Sequence, residues 1–259
     1  MTSSVLRSGT HTSVKSEHTL VNAAAWGLVM TGRVVNLDRS AEGTPGTVLG
    51  KLIKRSGVPV IRSAMMQAMK IMGRQFVLGR NIKEALRNGK PQRDRGYSYS
   101  FDMLGEAALT RADAVKYLKD YQQAIEAIAT DTYRGKGPRP AISIKLSALH
   151  PHYEPAREQQ VLDELGDILL SLVRQARAGN VNITIDAEEA DRLELSLKLF
   201  ARVYRHPDTR GWGGLGLVVQ AYSKRALPVL CWLTLLAREQ GDCIPVRLVK
   251  GAYWDSEII

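Results

Sequence analysis

From residue 97 onward, short runs rich in β-branched residues alternate with longer amphipathic segments, and this alternation constrains the fold most strongly. The five runs are Tyr97–Leu104, Ala141–Leu146, Val181–Ala187, Leu215–Ala221 and Pro245–Gly251. The segments between them repeat apolar residues every three or four positions, as Tyr121, Ile125 and Ile128 do, which indicates helices packed along one face. Strand–helix alternation of this kind predicts a parallel β-sheet.

Polar groups near the ends of these runs favour a barrel over an open sheet. Neighbouring side chains on a strand point to opposite faces. In the second run the aliphatic residues alternate with polar residues, the last of which is Lys145. The later runs carry Asp186, Gln220 and Arg247 on the corresponding face. A sheet covered by helices on both faces does not normally bury such groups, whereas barrel enzymes keep their chemistry at the C-terminal ends of the strands. We therefore predict an α/β fold in which the chain supplies about five βα units of a (βα)8 TIM-like barrel.

The four inward residues differ in chemistry, which favours a binding site over a structural ion-pair network, the alternative explanation. Lys145 can pair with a carboxylate, or form a Schiff base if its pKa is lowered. Asp186 can pair with an amine, while Gln220 and Arg247 can donate hydrogen bonds to a heterocycle or an anion. Together they suit an amino acid and a flavin-like ring better than a phosphosugar.

The first part of the chain predicts a different architecture. Residues 1–18 are typical of a disordered start, residues 19–92 of a helical domain and residues 93–259 of a partial barrel. A polar, breaker-rich stretch at residues 88–96 predicts the linker. In the helical domain, apolar residues that include Met65 and Met69 recur at helical spacing, which predicts a helix whose apolar face belongs to the core.

Composition excludes several classes of function. The net charge is +10, with 16 Lys and Arg against 5 Asp and Glu in the first 100 residues. These basic residues are scattered and no DNA-reading motif accompanies them, so the sequence does not support DNA binding. The two cysteines fit neither a disulfide framework nor a metal site, and no apolar run approaches the roughly 20 residues of a membrane-spanning helix. No third potential ligand lies at a suitable spacing from His150 and His152, so we predict that they belong to a loop that binds no metal.

Five stretches of the barrel region resemble the proline dehydrogenase domain of the bacterial proline utilisation A flavoenzymes. They are YSFDMLGEAALT, ISIKLSALHPHYEP, ITIDAEEADRLELSL, GLGLVVQAYSKRALP and VRLVKGAYWDSEI. Two earlier stretches, VNAAAWGLVMTGRVVNL and VIRSAMMQAMKIMGRQFVLG, are similar to the helical domain that precedes that barrel. The resemblance implies FAD-dependent oxidation of L-proline to Δ1-pyrroline-5-carboxylate, the first step of proline catabolism to glutamate, with electrons passed to a membrane quinone.

The same resemblance implies roles for individual residues. It pairs Lys145 with the proline carboxylate and places Asp186 over the substrate, as part of its gate. Arg247 lies near the flavin ring and, with Asp186, counts among the catalytic residues. The implied FAD contacts are Gln220, Arg247, Val249, Gly251, Ala252, Tyr253 and Trp254.

Two departures from the family pattern set further expectations. Members that repress transcription begin with a ribbon-helix-helix segment, which we do not find in this sequence. The family barrel has eight strands and this sequence supplies five, so we expect an N-terminal fragment that by itself binds no stoichiometric FAD. The resemblance places the protein in the cytoplasm, and it allows peripheral association with the inner face of the plasma membrane and a homodimer. Two alternatives remain open, namely a Schiff-base lyase that uses Lys145 and a non-catalytic docking fragment.

Overall fold

The computed structural model describes residues 62–63, 65–71, 73, 77–103 and 107–253. The chain divides into two compact units, residues 1–80 and residues 81–259. In the first unit, residues 62–63, 65–71 and 73 are helical, as predicted. The prediction that the apolar face of this helix belongs to the core is wrong for its described residues, because the side chains of Met65 and Met69 are 61% and 62% exposed.

The second unit alternates strands with helices along its length. Its elements are α1 (Ile82–Asn88), α2 (Lys90–Asp94), β1 (Ser100–Asp102), α3 (Arg111–Thr130), β2 (Ala141–Ile144), α4 (Glu158–Ala178), β3 (Ile183–Ile185), α5 (Leu193–Tyr204), β4 (Leu215–Gln220), α6 (Ala226–Gln240) and β5 (Val246–Val249). Short 3₁₀ turns lie at Leu146–Ala148, Pro155–Arg157 and Ala190–Arg192. Each predicted strand run contains one observed strand, so the α/β class and the five strands are confirmed, and in the described residues a long helix follows each of the first four strands.

The five strands form one parallel sheet in the order β1-β2-β3-β4-β5. Its register aligns Asp102 with Ser143, and Ser143 with Thr184. Further along the sheet, Val218 pairs with Arg247. Because each step of two residues along a strand returns to the same face, the register places Asp102, Ser143 and Arg247 on one face of the sheet.

The opposite face of the sheet is aliphatic and packs against the helices. Ile142, Ile144, Ile183 and Ile185 have no exposed surface. The helices contribute matching apolar faces, and α3 begins at a capping box in which the Thr110 hydroxyl accepts a hydrogen bond from the backbone N–H of the third helical residue. This burial of apolar surface between sheet and helices is the main source of stability for the unit.

The sheet is strongly curled, as a barrel wall must be. The guanidinium of Arg247 on β5 donates hydrogen bonds to the hydroxyls of Ser100 on β1 at 2.8 Å and Ser143 on β2 at 2.7 Å. In a flat sheet, β1 and β5 would be four strand spacings apart, or about 19 Å, far beyond the reach of one side chain. The polar face is therefore the concave inner face.

On the outer side of the sheet, β5 differs from the other strands, because the described residues leave its aliphatic face uncovered. On the aliphatic face of β5, Val246 is 42% exposed and Leu248 is 58% exposed. Within the residues that the structure describes, no helix combines the length and the apolar character needed to cross a membrane.

Candidate functional site

Charged side chains converge on the inner face, at the C-terminal ends of the strands. Asp102 ends β1, and Lys145 and Asp186 directly follow β2 and β3. The Lys145 ammonium lies 2.7 Å from Oδ1 of Asp102 and 3.7 Å from Oδ2 of Asp186. Nη1 of Arg247 lies 3.4 Å from Oδ1 of Asp186. Three of the four residues predicted to face inward thus form one cluster, which Asp102 joins.

The fourth predicted residue, Gln220, lies outside this cluster. Its Nε2 donates to the backbone carbonyl of Glu188 at 2.9 Å, and its Oε1 accepts from the backbone N–H of Ala252 at 2.9 Å. The register pairs Gln220 with Val249, one inward position beyond the pair of Val218 and Arg247. The amide is therefore held at the rim of the strands, next to the cluster rather than within it.

Burial and neighbouring charges shape the electrostatics of the cluster. The side chain of Asp186 is only 13% exposed, and this burial raises its pKa above the usual range. The positive charges of Lys145 and Arg247 oppose that rise, whereas the negative charge of Asp102 adds to it. With two cations and two carboxylates in their charged forms, the cluster has no net charge.

Buried groups hold the lysine and the arginine in place. The backbone N–H of Lys145 donates to the hydroxyl of Tyr121 at 3.1 Å, and that ring is 3% exposed. Burial raises the pKa of the Tyr121 hydroxyl, so it stays a neutral hydrogen-bonding group. Ser143, which accepts from Arg247, has no exposed surface. Lys145 and Arg247 therefore project from a fixed wall into an accessible interior, with their side chains 29% and 38% exposed.

Sequence reasoning missed Asp102, Ser100 and Ser143 as members of the site. The signal was present, since Ser100 and Asp102 alternate with the buried Phe101 on β1 just as Lys145 alternates with isoleucines on β2. The strand itself was predicted, but its two faces were not assigned. A single polar/apolar alternation over three residues is a weak signal unless the neighbouring strand fixes which face is inner.

The segment after β5 comes close to the end of β4. Gly251 has a φ of +119°, and a Cβ at that position would lie 2.0 Å from the ring of Tyr222, so the conformation requires glycine. Ala252 and Tyr253 follow, while Trp254, also expected to contact FAD, lies outside the described residues.

The Arg247 guanidinium and the NH₂ group of Gln220 are hydrogen-bond donors at this end of the sheet. Such donors fit a ring with nitrogen and oxygen acceptors, as in the flavin that the resemblance implies.

The two histidines of the loop after β2 form hydrogen bonds with neighbouring protein groups. His150 is 4% exposed, its Nε2 lies 3.3 Å from Glu164, and its Nδ1 accepts from the backbone N–H of His152. Over residues 77–103 and 107–253, together with the described helical residues before them, no three potential metal ligands cluster.

Glu188 connects two loops and the end of β4 at the rim of the strands. Its carboxylate is 7% exposed, accepts from the backbone N–H of Ser147 at 3.0 Å and lies 3.3 Å from Arg192. Its backbone carbonyl accepts the hydrogen bond from Gln220. The loop after β2, the loop after β3 and the end of β4 are thus joined through one residue, whose side chain is buried.

We expect Glu188→Ala to destabilise the protein by about 1–3 kcal/mol, because the buried N–H of Ser147 loses its acceptor. The free energy of unfolding in urea measures this effect. Asp191→Ala is the matched control, since Asp191 is an exposed acid of the same segment, and it should change stability by less than about 0.5 kcal/mol. Equal stabilities for the two variants would contradict the connecting role of Glu188.

Two family models match the chain, one after the other. A model described as "Proline dehydrogenase" matches residues 85–259, and one described as "DNA-binding domain of Proline dehydrogenase" matches residues 5–76. The second match corrects the expectation that the sequence does not support DNA binding, because a family model with that description covers residues 5–76. The scattered basic residues of this region lack a recognisable motif, which is why composition alone missed the relationship.

Curated relatives carry the name "Bifunctional protein PutA". Those of Salmonella typhimurium and Escherichia coli are each 48% identical over 245 residues, which is 94% of this chain and 18% of the relative. The Rhizobium meliloti protein is 48% identical over 244 residues, or 94% of this chain and 19% of the relative. The chain spans about a fifth of the length of the curated relatives that it matches.

Solved structures agree with the sequence matches. The Bradyrhizobium japonicum proline utilization A mutant D778Y has a TM-score of 0.66 and 51% identity, over 81% of this chain and 21% of that chain. Proline utilization A from Bdellovibrio bacteriovorus, inactivated by N-propargylglycine, has a TM-score of 0.73 and 27% identity, over 77% of this chain and 22% of that chain. These likenesses confirm the predicted TIM-like class for the curled sheet.

Proposed function

The chain belongs to the proline dehydrogenase family, and we propose that it serves the FAD-dependent oxidation of L-proline to Δ1-pyrroline-5-carboxylate. The observation that carries this proposal is the inner-face cluster of Lys145, Asp186 and Arg247 at the C-terminal ends of the strands. Such a cluster offers a cation to the carboxylate of an amino acid and a carboxylate to its amine. Barrel enzymes place their reacting groups at this end of the sheet.

In this proposal the ammonium of Lys145 binds the proline carboxylate, and Asp186 lies beside the ring amine. The oxidation removes a hydride from the ring CH₂ next to the nitrogen, and a proton from the neutral amine passes to solvent, which leaves a carbon–nitrogen double bond. FAD, when bound, supplies the acceptor for the two electrons. The remaining task of the protein is to orient the substrate and exclude competing chemistry.

The cofactor contacts proposed from the family pattern lie along the ends of β4 and β5. They are Gln220, Arg247, Val249, Gly251, Ala252, Tyr253 and Trp254. A positive group near a flavin stabilises the ring in its reduced, anionic form. Arg247 is the candidate for that role, because its guanidinium reaches across the concave face.

The family resemblance also supports proposals about the electron acceptor and the cellular location of the protein. We infer that a membrane quinone accepts the electrons, and that the protein is cytoplasmic with peripheral association at the inner face of the plasma membrane. A homodimer belongs to the same set of proposals.

The alternative use of Lys145 as a Schiff-base lysine is disfavoured by its surroundings. A Schiff-base lysine must lose its proton easily, which requires a lowered pKa. Lys145 instead forms ion pairs with the carboxylates of Asp102 at 2.7 Å and Asp186 at 3.7 Å, an arrangement that suits a partner for a carboxylate better than a nucleophile.

The proposed function is tested on a version of the protein extended to the whole family barrel and loaded with FAD, to which L-proline is added without oxygen. Bleaching of the visible flavin absorbance, with Δ1-pyrroline-5-carboxylate as the product, is the expected result. An unbleached flavin, or an amine adduct on Lys145 after borohydride treatment, would overturn the proposal.

In the same extended protein, we expect Arg247→Met to lower the reduction potential of the bound flavin and to slow its reduction by proline about tenfold, or about 1.4 kcal/mol. Methionine roughly keeps the shape of the side chain but removes the charge that favours the reduced ring. Arg238→Met, on the exposed end of α6, is the control and should leave both quantities unchanged. A wild-type potential in the Arg247 variant would place this residue away from the flavin.

A further inference from the structure

We propose that Ser143 is a positioning residue for Arg247, because its buried hydroxyl, together with that of Ser100, fixes where the guanidinium lies relative to the flavin. Acting through the arginine, this hydroxyl pair tunes the reduction potential of the bound ring. The inference rests on the proposed function, which takes Arg247 as the cation beside the flavin. Neither the family resemblance nor the strand pattern gave the two serines a role.

The first argument is the depth at which the arginine is held. Ser143 lies on β2 two residues before Lys145, so it faces the same interior one position deeper in the sheet. Nη2 of Arg247 lies 2.7 Å from the Ser143 hydroxyl and 2.8 Å from that of Ser100, the first residue of β1. The side chain of Arg247 therefore extends into the interior and ends on serines that lie deeper than Lys145.

The second argument is the geometry of the hydroxyl pair. Ser143 has no exposed surface, and its hydroxyl oxygen lies 3.1 Å from that of Ser100 on the neighbouring strand. The two N–H groups of Nη2 thus meet two acceptors that contact each other. Because a guanidinium is planar and rigid, two hydrogen bonds from one terminal nitrogen fix the direction of the whole group.

The third argument is the placement of the hydroxyl hydrogens. A hydrogen bond with Ser143 is among the influences that lower the pKa of Asp186 and so oppose the effect of its burial. An ionised carboxylate can only accept, so Ser143 donates to Asp186. Its oxygen then accepts from Ser100 and from Arg247. In this arrangement both serines present oxygen to the guanidinium, as a positioning role requires.

The guanidinium keeps donors for a ligand while the serines hold it. Nη1 of Arg247 reaches Asp186 at 3.4 Å, and both N–H groups of Nη2 are used on the serines. An arginine has five N–H donors. These three hydrogen bonds are the ones that Arg247 makes within residues 77–103 and 107–253, so the N–H of Nε and the second N–H of Nη1 have no acceptor there.

Asp186 is the competitor that the serines keep from taking the whole guanidinium. Arginine and a carboxylate favour a bidentate pair with two parallel hydrogen bonds, whereas here a single long contact joins them. Without the Ser143 hydroxyl, the guanidinium is free to turn toward Asp186. Its charge is then more fully offset by the carboxylate and stabilises the reduced flavin less.

The test uses the same extended protein loaded with FAD. The flavin reduction potential is measured by titration with dithionite against a reference dye, which requires no proline. Ser143→Ala should lower the potential in the same direction as Arg247→Met does, but by less. It should also slow flavin reduction by proline about two- to tenfold, the range for the loss of one hydrogen bond. The KM for proline should change less than kcat, because Lys145 is untouched.

The double variant Ser143→Ala/Arg247→Met decides whether the serine acts through the arginine. Its potential should equal that of Arg247→Met alone, since no guanidinium remains to be positioned. Ser171→Ala, on the exposed side of α4, is the matched control and should keep the wild-type potential. If Ser143→Ala does not retain FAD, Ser100→Ala removes the other hydroxyl of the pair and is measured in its place, with the same expectations.

Two results overturn the proposal. One is a wild-type potential in the serine variant, and the other is a further fall of the same size when the serine is replaced in the Arg247→Met background. A flavin that proline does not reduce in the unsubstituted protein would overturn the proposed function instead. Because the potential is measured without proline, the two failures are distinguishable.

Discussion

In a version of the protein extended to the whole family barrel, replacing Lys145 with alanine is expected to weaken L-proline binding about 10- to 150-fold, or about 1.5–3 kcal/mol, while FAD stays bound. The lysine is the proposed partner of the substrate carboxylate, and a charge-assisted hydrogen bond of this kind is among the stronger polar contacts in proteins. Its removal also leaves Asp102 without the ammonium at 2.7 Å, which adds repulsion toward an anionic group. Titration of the flavin absorbance with proline gives the dissociation constant.

A matched control is available on the surface of the same unit. Lys198 also forms an ion pair at 2.7 Å, with Glu158, but both side chains are more than 40% exposed. Lys198→Ala should therefore leave proline binding unchanged. If the Lys145 variant bound proline as tightly as the control does, the carboxylate would have to bind elsewhere, and the site proposed at this cluster would be wrong.

The strands and their inner face were predictable because each depends on local periodicity. Alternation over two residues places Lys145 and Asp186 on the face opposite to the isoleucines, whichever strands are neighbours. The order of the sheet also follows from the chain, since successive parallel strands joined by helices tend to lie side by side. For these reasons the class of the fold could be derived before the structure was known.

The composition of the site depends on contacts that periodicity cannot supply. Arg247 bonds to Ser100, 147 residues earlier, and only the curl of the whole sheet brings the two together. Gln220 faces inward as predicted, yet the register carries it one position past Arg247, where it bonds to backbone groups of other loops. Asp102 was missed for the same reason, because its importance lies in its distance to Lys145 and not in its own strand.

The segments before the sheet contain the residue whose loss should most affect stability. Arg93, on α2, is 4% exposed and lies 2.6 Å from Asp131, just after α3. The same guanidinium donates to the backbone carbonyl of Tyr133 at 2.6 Å. The backbone carbonyl of Arg93 accepts from the N–H of Lys136 at 2.9 Å, so the segment after α3 wraps closely around this residue.

Close packing leaves no easy way for the structure to adjust around a change at this residue. A Cβ on Gly135 would lie 2.7 Å from the Cβ of Arg93, which shows how near the two backbones approach. Removing the guanidinium leaves the carboxylate of Asp131, 16% exposed, without its cation. An uncompensated buried charge is costly, whereas replacing both partners of such a pair is often tolerated.

We therefore expect Arg93→Ala to lower the free energy of unfolding of the barrel unit by about 3–5 kcal/mol, as breaking one side of a buried ion pair does. Urea unfolding followed by circular dichroism measures the loss, and Arg95→Ala, two residues away and exposed, should change it by less than about 0.5 kcal/mol. The double variant Arg93→Ala/Asp131→Ala should recover part of the loss, because it removes the carboxylate that the single variant leaves unpaired. Two results would show that the ion pair does not hold this segment against α2. One is a loss of unfolding free energy in the double variant that equals the sum of the two single losses. The other is a loss for Arg93→Ala no larger than that for Arg95→Ala.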